Sequence, residues 1–129
     1  MQTKIMIVGS SKNNSNSRRA RIRLSGLWLI DYGFNTGKFL TVSCKNGCIT
    51  FNAVNTDYKS VVKAAFKNNL KVLQVLQEKR NGILVPIIDI KGNWVSDIGF
   101  LIGSIFIMQS NPESITLRLV DVNKITFDS

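Results

Sequence analysis

The chain has 129 residues, of which 44% are hydrophobic, so it can bury one core and is predicted to form a single compact domain. Its formal net charge is +9 and it contains no histidine, which excludes imidazole acid–base catalysis. No apolar run approaches the roughly 20 residues of a membrane helix, and Ile5–Val8 is too short for a signal-peptide core. We therefore expect a cytoplasmic protein with no membrane partner.

The first elements in chain order are two short strands joined by a cationic segment. A strand is predicted over residues 3–8. The segment SSKNNSNSRRARIR, residues 10–23, has the composition of a flexible polar loop that runs into a second strand at Ala20–Leu24. Strand alternation places Arg21 and Arg23 on one side of this second strand.

A short helix and a hairpin follow. Ser25 is a candidate N-cap for a helix over Gly26–Tyr32, and Gly33 would end that helix. Strands are predicted over Lys38–Cys44 and Cys48–Val54, because Asn46-Gly47 between them is a type I′ hairpin signal.

Residues 54–69 are predicted to form a linker with one helix, capped by Thr56 or Asp57. Five apolar residues recur with helical spacing, and three lysines recur every four residues on another side. The lysine stripe is either an ordinary solvated face or an extension of a basic surface. The apolar residues are Tyr58, Val61, Val62, Ala65 and Phe66, and the lysines are Lys59, Lys63 and Lys67.

The second half of the chain repeats the first. Residues 22–54 align without a gap to residues 88–120, and each six-residue set Gly, Trp, Asp, Gly, Phe, Gly is kept at the same spacing. We expect a first, basic copy at 1–53, the linker at 54–69 and a diverged copy at 70–129. Because a unit of about 50 residues is near the lower limit for an independent core, the copies should pack together as an intramolecular pseudo-dimer.

Positive charge is concentrated in the first part of the chain. Residues 1–80 hold 14 Lys and Arg against three acids, whereas residues 81–129 hold three against five. A cationic cluster of this kind favours nucleic acid as the partner, and the alternative is a solvated basic face that keeps the protein soluble. The candidate nucleic-acid-binding residues are Lys12, Arg18, Arg19, Arg21, Arg23, Lys38 and Lys45, with Lys59, Lys63 and Lys67 as an extension.

The segment RLSGLWLIDYGFNTGKFLTVSCKNGCITF, Arg23–Phe51, resembles the SymE family of bacterial toxin-like proteins. The resemblance rests on Leu-Ser-Gly-x-Trp-Leu, Gly-Phe and a further Gly at fixed spacing, followed by a hydrophobic hairpin. It implies a mainly β fold with short helices, α+β, as a swapped-hairpin AbrB/SpoVT-like barrel. It also implies a type I toxin–antitoxin context, with either nucleic-acid binding or RNA cleavage as the activity. That fold is usually a DNA-binding module, which favours DNA over RNA and allows nucleoid association.

The chemistry of the side chains predicts no cofactor and no metal site. Cys44 and Cys48 are expected to be reduced small hydrophobes. Asp31 and Asp97 occupy matching positions and are candidates for a paired carboxylate site, but exposed helix carboxylates are usually solvated charges. No catalytic residue is assigned.

Three functions remain open from the sequence. They are a non-catalytic nucleic-acid binder, an RNA endonuclease toxin, and a basic interaction module for an acidic protein partner.

Overall fold

The protein was analysed as a computed structural model, which describes residues 2–12 and 17–121. The fold is mainly β with short helices. In the first half the strands are β1 (Gln2–Ile7), β2 (Gly9–Lys12), β3 (Arg18–Ser25), β4 (Phe39–Lys45) and β5 (Cys48–Val54), with helix α1 (Trp28–Asp31) between β3 and β4. Helix α2 (Tyr58–Lys67) leads to the second half, which contains β6 (Lys71–Gln74), β7 (Leu76–Arg80), β8 (Ile83–Lys91), α3 (Asn93–Asp97), β9 (Ile105–Asn111) and β10 (Ser114–Leu119).

The strands form two open sheets, and each sheet contains strands from both halves. Sheet A has six strands in the order β1-β9-β10-β5-β4-β6, and sheet B has four in the order β2-β3-β8-β7. In sheet A the hairpin of each half is flanked by the first strand of the other half. The two halves are therefore interleaved along the whole of sheet A.

The pairing of the strands follows the same pattern in both halves. At the centre of sheet A, Thr50 of β5 pairs with Thr116 of β10, 66 residues later. At the centre of sheet B, Arg23 of β3 pairs with Asp89 of β8, again 66 residues later. The element order also matches, since each half runs through three strands, a short helix and a two-stranded hairpin. In both sheets, residues 66 positions apart therefore pair where the two halves meet.

A glycine turn follows β3 in the first half and β8 in the second. Gly26 has φ +137°, and a Cβ added there would lie 2.7 Å from the Trp28 ring, so only glycine fits without displacing the indole. Trp28 Nε1 donates a hydrogen bond to the Ser25 carbonyl oxygen at 3.0 Å, which closes the turn. Gly92 occupies the equivalent turn with φ +126° beside Trp94. The Gly-x-Trp sequence that recurs in the two halves is thus a turn motif in this chain.

The first helix is shorter than predicted. It covers Trp28–Asp31, and Leu27 precedes it without a side-chain cap. Ser25 is not an N-cap, because it is the last residue of β3. The predicted end is correct in position, since Gly33 follows the helix with φ +89°.

The polar segment between the first two predicted strands is largely ordered as a hairpin. Strand β2 pairs with β3 so that Lys12 lies opposite Arg18 and Gly9 opposite Arg21. The prediction of a flexible loop is therefore wrong for Ser10–Lys12, Arg18 and Arg19, whereas the strand predicted over Ala20–Leu24 is confirmed within β3. Residues 13–16 lie outside the described residues. The Gly-Ser-Ser-Lys sequence of β2 shows no hydrophobic alternation and therefore does not predict a strand.

The linker helix begins after Asp57, whose carboxylate accepts a hydrogen bond from the Ser60 backbone N–H at 2.9 Å. This hydrogen bond lowers the pKa of the Asp57 carboxyl group. Val61 and Ala65 are buried as expected. The other three apolar residues of the predicted stripe, Tyr58, Val62 and Phe66, are exposed, so the stripe is only partly buried.

One hydrophobic core lies between the sheets and is filled from both halves. Phe34 and Phe51 from the first half and Phe100 and Phe106 from the second are all 0% exposed. Burial of four large aromatic side chains favours association of the halves through the hydrophobic effect.

Candidate nucleic-acid interface

The arginines of β3 are presented by strand alternation. Ala20, Ile22 and Leu24 are buried in the core, so the intervening residues point away from it. Arg19 and Arg23 are exposed and Arg21 is half-buried. The outward side of sheet B therefore carries a row of guanidinium groups, as the sequence predicted.

Arg21 is engaged by an acid from the second half. Its Nε donates to Asp89 Oδ1 at 2.9 Å and its Nη2 to Asp89 Oδ2 at 2.7 Å, which is a bidentate pair. The side chains are 31% and 17% exposed. The hydrogen bond from Arg21 lowers the pKa of Asp89 despite partial burial of the carboxylate, and the same bond raises the pKa of Arg21.

Arg23 is also paired across the halves. It donates to Glu78 of β7, and Arg80 donates to the other oxygen of the same carboxylate at 2.8 Å. Arg80 also donates to the Ser25 hydroxyl. Among the residues that the structure describes, all three ion pairs lie in this network on sheet B.

The outer end of the β2–β3 hairpin has a different character. Lys12, Arg18 and Arg19 are exposed there, and Arg18 Nη1 donates to the Ser10 hydroxyl at 3.1 Å. None of these three cations takes part in the ion pairs found in the described part of the chain. The seven candidate residues therefore divide into cations paired with acids and cations that are not.

The remaining predicted residues lie elsewhere. Lys38 precedes β4 and donates to the Asn55 side chain, and Asn55 in turn donates to Glu113 at 3.2 Å. Lys45 ends β4 on sheet A, so the structure does not bring it to the arginines of sheet B. The lysines of α2, Lys59, Lys63 and Lys67, are all exposed.

The sequence does not predict which residues surround Lys45. Arg118 of β10, which comes from the second half, lies in register with Cys48, the residue that also faces Lys45. The three residues line one surface depression. Only the order of strands in sheet A brings the two cations together, and no local signal in the sequence predicts that order.

The two carboxylates at matching positions lie on separate helices. Asp31 and Asp97 are both exposed, in α1 and α3. Within residues 2–12 and 17–121, no group of three or more Cys, Asp or Glu side chains is placed to hold a metal ion.

The two cysteines are free and lie on opposite faces of sheet A. Cys44 packs against the core, and burial raises the pKa of its thiol. Cys48 lines the outer depression next to Lys45. Alternation along the hairpin accounts for this difference.

The fold and surface are those of a β-rich protein with a cationic exterior and interleaved halves. The sequence was also compared with models of known protein families. Residues 4–53 match the family model described as Toxin SymE, type I toxin-antitoxin system. The first half of the chain therefore matches the SymE family of toxin-like proteins, which confirms the resemblance seen in Arg23–Phe51. Comparison with curated proteins and with solved structures finds no match.

The matched segment extends from β1 into β5, so it covers the first half and contains the seven candidate cations. Within the described residues, no helix is long and apolar enough to cross a membrane.

Proposed function

We propose that this protein binds nucleic acid through phosphate contacts and does not cut it. The observation that carries the proposal is the outer end of the β2–β3 hairpin, where Lys12, Arg18 and Arg19 are exposed and make no ion pair with a described residue. A guanidinium group suits phosphate because it can donate two parallel hydrogen bonds. These cations can neutralise phosphate without first releasing an acidic partner.

Arg21 and Arg23 have a supporting role in this proposal. Transfer of Arg21 to a phosphate would leave Asp89 without its partner at a half-buried site, where an unpaired carboxylate is costly. Transfer of Arg23 would leave Glu78 paired with Arg80 alone. The two arginines therefore hold the first half against the second and position the hairpin. DNA is the favoured ligand because the AbrB-like fold implied by the family resemblance is usually a DNA-binding module.

The proposal includes the origin of the fold. The repeated pattern of 66 residues in the sequence and the matching strand order support a tandem duplication of a SymE-like unit. The exchange of first strands in sheet A supports a swapped-hairpin, AbrB/SpoVT-like arrangement, with one chain in place of a dimer. Covalent linkage keeps each half at high effective concentration for the other.

The absence of cleavage follows from the side chains available. The chain has no histidine for acid–base catalysis. The two matching carboxylates, Asp31 and Asp97, are exposed, and no carboxylate cluster accompanies them in the described part of the chain. A metal-assisted ribonuclease requires such a cluster.

A mobility-shift series tests this function. The purified chain is titrated against duplex DNA, single-stranded RNA and duplex RNA at several salt concentrations, and the RNA is then recovered and checked for length. We expect complexes with intact nucleic acid whose log affinity on duplex DNA falls with log salt at a slope of about −4 to −5, for roughly four to six neutralised phosphates.

Other outcomes would identify the rival functions. Chelator-sensitive RNA cleavage that is lost in Asp31→Asn or Asp97→Asn would establish the endonuclease instead. Absence of binding to all three nucleic acids, together with a stoichiometric complex with an acidic protein, would establish the interaction module.

A further inference from the structure

Two cations from opposite halves of the chain meet on the outer face of sheet A. In the row that crosses β4, β5 and β10, Lys45 faces Cys48 and Cys48 faces Arg118. Residues directly opposite one another in antiparallel strands point to the same side of the sheet. With neighbouring strands about 4.8 Å apart, the bases of the two cationic side chains lie roughly 10 Å apart.

The surface between these cations is concave and polar. It forms a groove of about 420 Å³, here called the sheet A groove, lined by Ser43, Lys45, Asn46, Cys48, Thr50 and Arg118. Lysine, arginine, serine, threonine and asparagine side chains are the ones that commonly contact phosphate and sugar in nucleic-acid complexes.

No acid competes for these cations along the strands. None of the six strands of sheet A contains an aspartate or a glutamate. In addition, Lys45 and Arg118 belong to none of the ion pairs among the described residues. In sheet B, by contrast, Arg21 and Arg23 form ion pairs with Asp89 and Glu78.

The lysine-bearing helix lies on the same side of sheet A. The Phe39 and Tyr58 rings are 5.4 Å apart, and Phe39 shares its strand and its outward direction with Lys45. Helix α2 with its exposed lysines therefore borders the face that contains the groove. An extended polyanion that crosses this face would meet cations at more than one point.

From these observations we infer that the sheet A groove is a second phosphate-binding site, built jointly by the two halves, for the sugar–phosphate backbone of a nucleic acid. The inference rests on the proposed function and adds to it a contact surface that includes Arg118. Lys45 and Arg118 neutralise the phosphates, and the hydroxyls of Ser43 and Thr50 donate hydrogen bonds to them.

The native cysteines provide a direct test in the wild-type chain. Cys48 lies in the groove, whereas Cys44 faces the core and serves as the internal reference. The rate of alkylation of each thiol by iodoacetamide is measured by peptide mass spectrometry, alone and with saturating 20-nucleotide single-stranded DNA, RNA of the same sequence, or duplex DNA. We expect at least one nucleic acid to slow alkylation of Cys48 by fivefold or more while the rate at Cys44 stays within twofold.

A matched pair of variants tests the contribution of the cations. Lys45→Gln/Arg118→Gln and the control Lys4→Gln/Lys79→Gln remove the same charge, and Lys4 and Lys79 lie on edge strands away from the groove. We expect the groove variant to bind the protecting nucleic acid at least fivefold more weakly than the control, measured at one salt concentration.

The outcomes separate this inference from the function on which it rests. Tight binding with Cys48 unprotected and with both double variants equal would overturn the groove site and leave nucleic-acid binding intact. No binding of any nucleic acid would overturn both. Equal protection of Cys48 by polyglutamate would overturn the groove's assignment to phosphate and favour an acidic protein ligand.

Discussion

The two halves of the chain share one backbone plan and carry opposite surfaces. Residues 2–54 and 71–119 run through the same order of strands, helix and hairpin. The outward residues of β3 are Arg19, Arg21 and Arg23, whereas the matching part of β8 is apolar except for Asp89 and Lys91. The fold depends on inward apolar residues and glycine turns, which both halves keep. The exteriors of the two halves differ.

The charges of the two halves are complementary at the centre of sheet B. Arg23 and Asp89 are equivalent positions that pair with each other, so identical halves would place like charges directly opposite, which destabilises a sheet. In this chain the acids of the second half accept hydrogen bonds from the arginines of the first. Arginines of similar sequence context therefore differ in whether the other half supplies an acid to pair with them.

The largest effect on stability is expected from Asp89→Arg, which makes the second half resemble the first at this position. The change removes the partner of Arg21 and places an arginine opposite Arg23. We expect the free energy of unfolding to fall by about 2–3 kcal/mol in urea titrations. Asn111→Arg, at an exposed end of β9, is the control and should change it by less than about 0.5 kcal/mol. Equal small losses would show that the network does not join the halves.

A smaller effect should appear as a dependence on pH. Because Arg21 holds the pKa of Asp89 below its ordinary value, the pair stabilises the fold above the unfolded pKa of about 3.9 and the stabilisation is lost as the pH falls through the lower folded value. Asp89→Asn should therefore lose about 1 kcal/mol near pH 7, and its deficit against wild type should shrink as the pH approaches 3. Urea unfolding at several pH values measures both.

The control for the pH series is Asp97→Asn, which neutralises an exposed carboxylate on α3. Its difference from wild type should be small at every pH. A deficit in Asp89→Asn that stays constant down to pH 3 would contradict the role given to the Arg21–Asp89 pair.

The smallest effect is expected in the core of the second half. Ser110 is 0% exposed and its hydroxyl has no hydrogen-bond partner among the described residues, whereas the equivalent residue in the first half is Cys44. Ser110→Cys should raise the free energy of unfolding by about 0.5–1 kcal/mol, because a thiol is less costly to bury unpaired. Ser114→Cys, at a half-exposed position of β10, should not. A loss of stability in Ser110→Cys would indicate that this site has no room for sulfur.

The sequence contained most of the local structure and little of the pairing between distant residues. Alternation placed the arginines of β3 on one side, and Asn46-Gly47 marked the hairpin turn. Strand β2 was missed because its Gly-Ser-Ser-Lys sequence carries no apolar period. The ion pairs of Arg21 and Arg23 and the meeting of Lys45 with Arg118 depend on strand order across the two halves, which no local pattern encodes.

The most direct test of the account compares paired with unpaired arginines in nucleic-acid binding. Arg18→Gln/Arg19→Gln removes two unpaired cations, whereas Arg21→Gln/Asp89→Asn removes a cation together with its acid and keeps the net charge. The measurement is the affinity for duplex DNA as a function of salt. We expect the first variant to bind more than tenfold more weakly with a slope flatter by about 2, and the second to stay within about threefold of wild type. The reverse order of effects would contradict the assignment of phosphate contacts to the unpaired cations.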